Sequence, residues 1–144
     1  MIDIMKEFGW TYVYAVGVDN EYGKIGLRLL KEHASENGIC ITGEVFIPFE
    51  SNNTKSVAKE IAEGMKREKN ASVVIMFNYA REMGEYILQE ADKLNLSRLY
   101  LTSEAWHPEI SSSSIPVNQI ESIITVSLQY GKTDSHFILS LIHI

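Results

Sequence analysis

Apolar positions alternate along the chain between two spacings, which predict strands and helices in regular succession. Runs rich in aromatic and β-branched residues, typical of buried strands, predict strands at Trp10–Asp19, Ile39–Ile47, Ala71–Phe77 and Arg98–Thr102, and a weaker fifth at Ile120–Leu128. Between them, apolar residues at helical spacing predict helices over Tyr22–Glu36, Thr54–Lys69 and Arg81–Leu94. The first residues predict the end of an amphipathic helix, with Ile2, Met5 and Phe8 on one face.

The helical stripes indicate which side chains face the sheet. They are Ile25, Leu29, Leu30 and Ala34 in the first long helix, Val57, Ala58, Ile61, Ala62 and Met65 in the second, and Met83, Ile87, Ala91 and Leu94 in the third. Asn37-Gly38 predicts the end of the first of these helices. Strands that alternate with single helices form right-handed βαβ units. The predicted fold is therefore an α/β three-layer sandwich with a mainly parallel sheet.

Composition and charge narrow the function. The chain has 144 residues, of which 45% are hydrophobic and 22% charged, as in an ordinary globular domain. A formal net charge of −6 disfavours a nucleic-acid partner, because phosphate backbones attract basic proteins. The longest apolar run in the body of the chain, Val73–Phe77, is too short to span a bilayer.

Three Asn-x-Ser/Thr triplets indicate a secreted or extracellular chain. They begin at Asn52, Asn70 and Asn95, at predicted loops or element ends, and are more than chance predicts. The single cysteine, Cys40, excludes an internal disulfide, and in an extracellular chain it implies a partner outside this sequence. The opening residues carry no signal-peptide pattern, and a chain that begins within a helix is expected to be part of a longer protein.

Ligands of open parallel sheets bind outside the carboxyl ends of the strands. In this chain that rule selects acidic, aromatic and small polar residues that follow the first, third and fourth strands, namely Asp19, Asn20, Glu21, Tyr22, Asn78, Tyr79, Ser103, Glu104 and Trp106. A carboxylate and an aromatic ring suit a small cationic or zwitterionic ligand.

Structural roles compete with binding at several of these positions. Asp19-Asn20 also fits a turn that caps the following helix, and Tyr22 also fits a packing role at the start of that helix. Trp106 also fits a lid over the sheet edge. Glu104 is harder to explain as structure, because it follows a buried strand without an adjacent basic residue.

Enzyme motifs are poorly represented in the sequence. The glycines after the first strand do not have GxGxxG spacing, and there is no Walker loop. His33, His107, His136 and His143 are scattered without metal-pair spacing, and Cys40 has no CxxC partner or neighbouring His. A binding module is therefore favoured over an enzyme.

Several motifs resemble the class C G-protein-coupled receptors. Phe8-Gly9-Trp10-Thr11-Tyr12-Val13 followed by Tyr22-Gly23-Lys24-Ile25-Gly26 is similar to their FGW…YG stretch. Ile39-Cys40-Ile41 resembles their ICI strand, and Ser103-Glu104-Ala105-Trp106 resembles their SEAW or SDGW motif. The match covers roughly residues 1 to 110 and is closer to the calcium-sensing than to the metabotropic glutamate branch.

The resemblance implies an extracellular Venus-flytrap domain, related to periplasmic binding proteins of type I. Residues 1–144 would be most of its second lobe, with 1–9 the end of a preceding helix and 129–144 a poorly matched tail. By the resemblance, Tyr22 contacts an amino-acid-like ligand and Glu104 receives its ammonium group. The carboxyl-end rule adds Asn78, Tyr79, Ser103 and Trp106 to the expected ligand site, with Asn78-Tyr79 standing where the family has small serine-like residues. Cys40 would be bonded to a cysteine-rich domain.

The implied partners lie outside this chain: the first lobe, the cysteine-rich and seven-helix membrane domains, a second receptor in a dimer, and a G protein. The implied location is the extracellular side of the plasma membrane. We expect no cofactor and no metal. The calcium-sensing branch suggests calcium, but His107, Pro108 and Glu109 stand where its members carry serines.

Two other functions share parts of this pattern. A soluble periplasmic-type solute-binding protein has the same fold and cleft, and would lack the membrane spans of a receptor. A flavodoxin-like, nucleotide-handling enzyme domain shares the α/β architecture, but it requires phosphate-binding glycine loops that this sequence lacks.

Overall fold

The computed structural model describes residues 1–49, 53–78, 81–103, 115–126 and 141–142, in which helices and strands alternate. The helices are α1 (Ile2–Glu7), α2 (Glu21–Glu36), α3 (Thr54–Arg67), α4 (Arg81–Lys93) and α5 (Val117–Ile120). The strands are β1 (Tyr12–Val18), β2 (Cys40–Ile47), β3 (Val73–Phe77), β4 (Leu99–Ser103), β5 (Ile123–Val126) and β6 (Leu141–Ile142).

The described strands form one sheet in the order β2-β1-β3-β4-β5-β6. Neighbouring strands from β2 to β5 are parallel, and β6 pairs with β5 in the antiparallel direction. The sheet has one irregularity, at Thr42 of β2. Val13 pairs with Ile41 and Tyr14 with Gly43, so Thr42 is an extra residue, and its hydroxyl donates to the Val13 carbonyl at 3.3 Å.

Helices cover both faces of the sheet, which confirms the predicted three-layer α/β fold. Alternate residues of β1 point to opposite faces: Val13 and Ala15 pack in the cluster with α1 and α2, whereas Tyr14 and Val16 pack in the cluster with α3 and α4. In β3, Val73 and Ile75 pack on the side of α1 and α2, whereas Val74 and Met76 pack on the side of α3 and α4. The sheet is thus buried on both sides, as its continuous apolar strands predict.

The predicted stripes of α3 and α4 are confirmed, but that of α2 is partly wrong. Leu30 and Ala34 are buried as expected, together with Gly23 and Leu27, while Ile25 and Leu29 are each 41% exposed. The face of α2 that meets the sheet is centred on Leu27, because glycines at its start let that side approach the strands closely. Apolar spacing alone did not distinguish the two neighbouring stripes.

The end of α1 and the start of β5 also differ from expectation. α1 buries Ile4 and Met5, whereas Phe8 is 55% exposed and stacks on Trp10 at 4.9 Å between ring centroids. Phe8 leaves the predicted face because α1 ends at Glu7 and Gly9 turns the chain with φ 66. In the predicted fifth strand, Ile120 belongs instead to the short helix α5, and β5 begins at Ile123.

Candidate functional site

The carboxyl ends of three adjacent parallel strands form the candidate site. We call this the carboxyl edge, and it comprises the residues at or after the ends of β1, β3 and β4, namely Asp19, Asn20, Asn78 and Ser103, with the first turn of α2. The sequence rule that selected these residues is therefore correct about their common location. The described part of the site contains polar and aromatic groups and no catalytic triad.

Tyr22 lies in the first turn of α2 and spans the carboxyl edge. Its hydroxyl is 2.5 Å from Oγ of Ser103, the residue that ends β4. Its ring meets the ring of Phe77, at the end of β3, edge to face with 6.4 Å between centroids. The residue is 38% exposed, so it is accessible to a bound molecule.

Two glycines bring α2 close enough to the sheet for these contacts. A Cβ atom on Gly23 would lie 2.0 Å from the Val18 carbonyl oxygen, and one on Gly26 would lie 2.7 Å from the Phe77 ring. No larger residue fits at Gly23 unless the backbone moves. The close approach fixes the height of Tyr22 above the strand ends.

Asn20 and Asp19 have the structural roles that competed with binding in the sequence. Asn20 is the N-cap of α2, and its Oδ1 accepts from the Gly23 backbone N–H at 3.0 Å. Asp19 forms an ion pair with Lys24 at 2.6 Å, and both side chains are about half exposed. This segment therefore shapes the start of α2, which in turn presents Tyr22.

Asn78 and Ser103 differ in their access to the edge. Asn78, directly after β3, is fully buried, whereas Ser103 is half-buried. Below Ser103, the hydroxyls of Thr102 and Thr125 are 3.1 Å apart and buried, and they join β4 to β5. Asn78 is thus closed to solvent, whereas Ser103 and Tyr22 belong to the accessible surface of the candidate site.

Other predicted site residues lie outside the described residues. They are Tyr79, Glu104 and Trp106 of the ligand site, the glycosylation position Asn52, and His107, Pro108 and Glu109. Phe77 was missed as a site residue because it reads as the last apolar residue of a buried strand. Its position at a carboxyl end, beside the polar set, is the signal that would have identified it.

The remaining predicted positions lie at the opposite end of the sheet. We call this the amino edge, where β2, β3 and β4 begin. Cys40 is the exposed first residue of β2, beside Tyr12. Asn70 is exposed in the turn before β3, and Asn95 is exposed with φ 53 in the turn between α4 and β4. All three are therefore remote from the candidate ligand site along the strand direction.

Tyrosines away from the carboxyl edge have shifted pKa values. Burial raises the pKa of Tyr100, in β4, although the nearby Arg98 guanidinium opposes this effect. Burial also raises the pKa of Tyr14, next to α3. The pKa of Tyr86 is raised chiefly because its hydroxyl donates to the Glu82 carboxylate at 3.0 Å.

Two negative findings apply to the described residues. No group of three or more His, Cys, Asp or Glu side chains is placed to hold a metal ion. In the same part of the chain, no helix is both long and apolar enough to cross a bilayer.

Comparison with known proteins identifies the family. Residues 1–136 match the model of the receptor family ligand binding region. The chain is 27% identical over 134 residues to taste receptor type 1 member 1 of Homo sapiens, a match that covers 90% of the chain and 15% of the receptor. It is 29% identical over 131 residues to the metabotropic glutamate receptor of Drosophila melanogaster, covering 90% and 13%, respectively. It is also 28% identical over 132 residues to the extracellular calcium-sensing receptor of Bos taurus, covering 91% and 12%.

The chain belongs to the receptor family ligand binding region, because the family model matches nearly its whole length. Its relatives confirm the predicted class, an extracellular ligand-binding region of class C G-protein-coupled receptors at the plasma membrane. The chain spans about an eighth of the length of these receptors.

Proposed function

We propose that this chain forms most of the second lobe of a receptor's extracellular domain and binds an amino-acid-like ligand at the carboxyl edge. The observation that carries the proposal is the position of Tyr22, which contacts Ser103 and Phe77 and is partly exposed. Its support is the agreement between this position, the carboxyl-end rule and the membership of the receptor ligand-binding family.

Each proposed contact has a chemical role. The Glu104 carboxylate would pair with the ligand's ammonium group, and the Tyr22 ring would offer it a cation–π contact. The Ser103 hydroxyl can donate or accept, so it would orient a polar ligand group while it remains bonded to Tyr22. Tyr79 and Trp106 would bound the pocket, and the buried Asn78 would support it from below.

Signalling would follow from closure of the domain. A ligand that contacts both lobes favours the closed state by its difference in affinity for the two states. The first lobe, the membrane domain, the G protein and a second receptor in a dimer are the partners required for this mechanism. In the same proposal, the exposed Cys40 is bonded to a cysteine-rich domain of the receptor.

An extracellular location would also allow N-glycosylation of the chain. We expect N-linked oligosaccharides at Asn52, Asn70 and Asn95, of which Asn70 and Asn95 are exposed. Both described positions lie at the amino edge, so oligosaccharides there would leave the carboxyl edge open to ligand.

The decisive experiment measures receptor responses to the common L-α-amino acids in cells that express the full receptor. Glu104→Ala is expected to raise the half-maximal concentration about tenfold or more, since a charge-assisted contact contributes about 1.5–3 kcal/mol. Tyr22→Ala is expected to raise it about two- to thirtyfold, since a cation–π contact contributes about 0.5–2 kcal/mol. Tyr12→Ala is the matched control, because Tyr12 is an exposed tyrosine (48%) at the other end of β1.

Surface expression is measured for every variant, so that loss of folding is separated from loss of binding. Unchanged responses in both carboxyl-edge variants, at normal surface expression, would contradict the proposed ligand site. Equal losses in Tyr12→Ala and Tyr22→Ala would show that the effect is not specific to the carboxyl edge.

A further inference from the structure

A cavity of about 230 Å³ lies at the amino edge, where α4 ends and α5 packs beside it. Its polar lining consists of Asp92, Asn95, Ser97, Asn118, Gln119 and Ser122. The cavity is partly open to solvent, and its volume exceeds the ~30 Å³ that one water molecule occupies in the liquid. The cavity therefore has room for a group much larger than one bridging water.

The polar lining is held by hydrogen bonds among its own members. Asn118 Nδ2 donates to Asp92 Oδ1 at 3.0 Å, which joins α5 to α4. Ser122 Oγ donates to the Asn118 carbonyl at 2.9 Å, and Gln119 Nε2 donates to the Leu96 carbonyl at 3.1 Å. These bonds fix the cavity walls before any ligand arrives.

One acceptor behind the cavity wall has no partner among the described residues. Gln119 is only 3% exposed, and its Oε1 is buried without a hydrogen bond. A buried polar atom without a partner is unfavourable, and such atoms in native proteins usually meet water or a ligand. This oxygen has no exposed surface and does not face the cavity, so the acceptor that the lining offers to a molecule with N–H or O–H groups is the Asp92 carboxylate.

The cavity wall includes both functional residues of a glycosylation triplet. Asn95 carries the acceptor amide of Asn95-Leu96-Ser97, and Ser97 supplies its hydroxyl. Asn95 is exposed and adopts φ 53, a conformation that asparagine tolerates better than most residues. Anything attached to the Asn95 amide nitrogen begins at the mouth of this cavity.

We propose that Asn95 carries an N-linked oligosaccharide whose first N-acetylglucosamine unit is bound in this cavity. The inference rests on the extracellular location in the proposed function. The sugar's hydroxyl and acetamido N–H groups supply donors for the Asp92 carboxylate, and its acetamido carbonyl is an acceptor for Asn118 or Ser122. The cavity is then the binding site of the first sugar unit, and this binding orders the start of the oligosaccharide against α4 and α5.

The attachment step uses a lipid diphosphate oligosaccharide as donor. The Asn95 amide nitrogen forms a bond to C1 of the sugar and loses one proton. The bond between C1 and the diphosphate oxygen breaks, and the lipid diphosphate leaves with the electron pair. The transfer needs no oxidant or reductant. It precedes folding, after which the attached sugar binds in the cavity.

Asn70 provides an internal control for the test. It begins a second triplet at the amino edge and is exposed, but it does not line the cavity. The protein is expressed from its full coding sequence in mammalian cells, and peptide mass spectrometry measures occupancy at both positions. The native protein is then treated with peptide N-glycosidase, and the release rates at Asn95 and Asn70 are compared.

Release at Asn95 is expected to be at least about tenfold slower than at Asn70 in the native protein, and equal after denaturation. Ser122→Leu, which fills the cavity, is expected to abolish the difference, while Ser35→Leu on the exposed face of α2 preserves it. If Ser122→Leu does not fold, the native and denatured rates of the unaltered protein still decide the question.

An unoccupied Asn95, or equal native release rates at occupied positions, would overturn the proposal. These outcomes are separable from failure of the receptor function, because amino-acid responses are measured in the same cells. Slow release at Asn95 with no amino-acid response would support sugar binding in the cavity and contradict the proposed ligand site at the carboxyl edge.

Discussion

The phenolic oxygen of Tyr22 lies 2.5 Å from Oγ of Ser103, although 81 residues separate them in the sequence. The contact joins the start of α2 to the end of β4, while Phe77 of the intervening strand β3 supports the tyrosine ring. One side chain therefore holds together the parts of the chain that converge at the carboxyl edge.

This contact predicts a measurable coupling between Tyr22 and Ser103. In a double-mutant cycle of Tyr22→Phe and Ser103→Ala, we expect a coupling of about 0.5–1.5 kcal/mol in the free energy of unfolding, the range of one net hydrogen bond. Chemical denaturation measures it. Tyr12→Phe combined with Ser103→Ala is the control, and strict additivity in both cycles would show that the hydroxyl contact contributes nothing.

The close packing at Gly23 predicts that adding a single methyl group there lowers the stability of the protein. An alanine inside a helix normally stabilises it by about 1 kcal/mol relative to glycine. At Gly23, however, the new Cβ would lie 2.0 Å from the Val18 carbonyl oxygen, so Gly23→Ala is expected to destabilise the protein by about 3 kcal/mol. Urea denaturation measures the change, with Ser35→Ala on the exposed face of α2 as the control. A neutral Gly23→Ala would contradict the close packing of α2 on β1.

Asn20 predicts a capping effect that is separate from ligand binding. Asn20→Ala removes the acceptor for the Gly23 N–H and is expected to cost about 1 kcal/mol of stability. Asn20→Asp keeps an acceptor at the N-terminus of the helix and is expected to retain most of that stability. Thermal unfolding compares the two variants. Equal losses in both would show that the cap is not the relevant role of Asn20.

Tyr100 predicts a change in stability at alkaline pH. Its hydroxyl is buried without a hydrogen-bond partner among the described residues, and burial raises its pKa above the value of about 10 in the unfolded chain. The folded state therefore binds the proton more tightly. This contribution is complete below about pH 10 and is lost as the pH rises towards the folded pKa, at up to about 1.4 kcal/mol per pH unit.

The matching variant is Tyr100→Phe, which removes the hydroxyl and its titration. We expect it to stabilise the protein by about 1 kcal/mol at neutral pH, because no hydrogen bond to a described residue is lost. Its unfolding free energy should also fall less steeply above pH 10 than that of the unaltered protein. Equal alkaline slopes, measured by denaturation at several pH values, would refute the assigned titration.

The sequence was sufficient to predict the three layers of the fold, because strands buried on both faces are recognisable as continuous apolar runs. It was not sufficient for the face of α2, since Ile25 and Leu29 have the same spacing as buried residues and only the close approach at Gly23 decides between the stripes. Short elements were equally difficult: the four residues of α5 merge with the apolar pattern of the strand that follows.

The candidate site was predictable to the extent that it depends on strand ends. Tyr22 and Ser103 were selected because parallel strands end at one edge, and the structure brings their hydroxyls together. The burial of Asn78 and the support from Phe77 depend on how deep each side chain lies in the packed layers, which local sequence does not encode. The contribution of Glu104 remains a prediction for the receptor experiment.

The extra residue Thr42 has a consequence for how copies of this chain meet. β2 is the outermost described strand on its side of the sheet, and an outermost strand with regular backbone groups can recruit a strand from another molecule. At Thr42 the register shifts, so the outward row of N–H and C=O groups is interrupted in mid-strand, close to the exposed charge of Glu44. We expect this interruption to disfavour edge-to-edge pairing between copies of the protein.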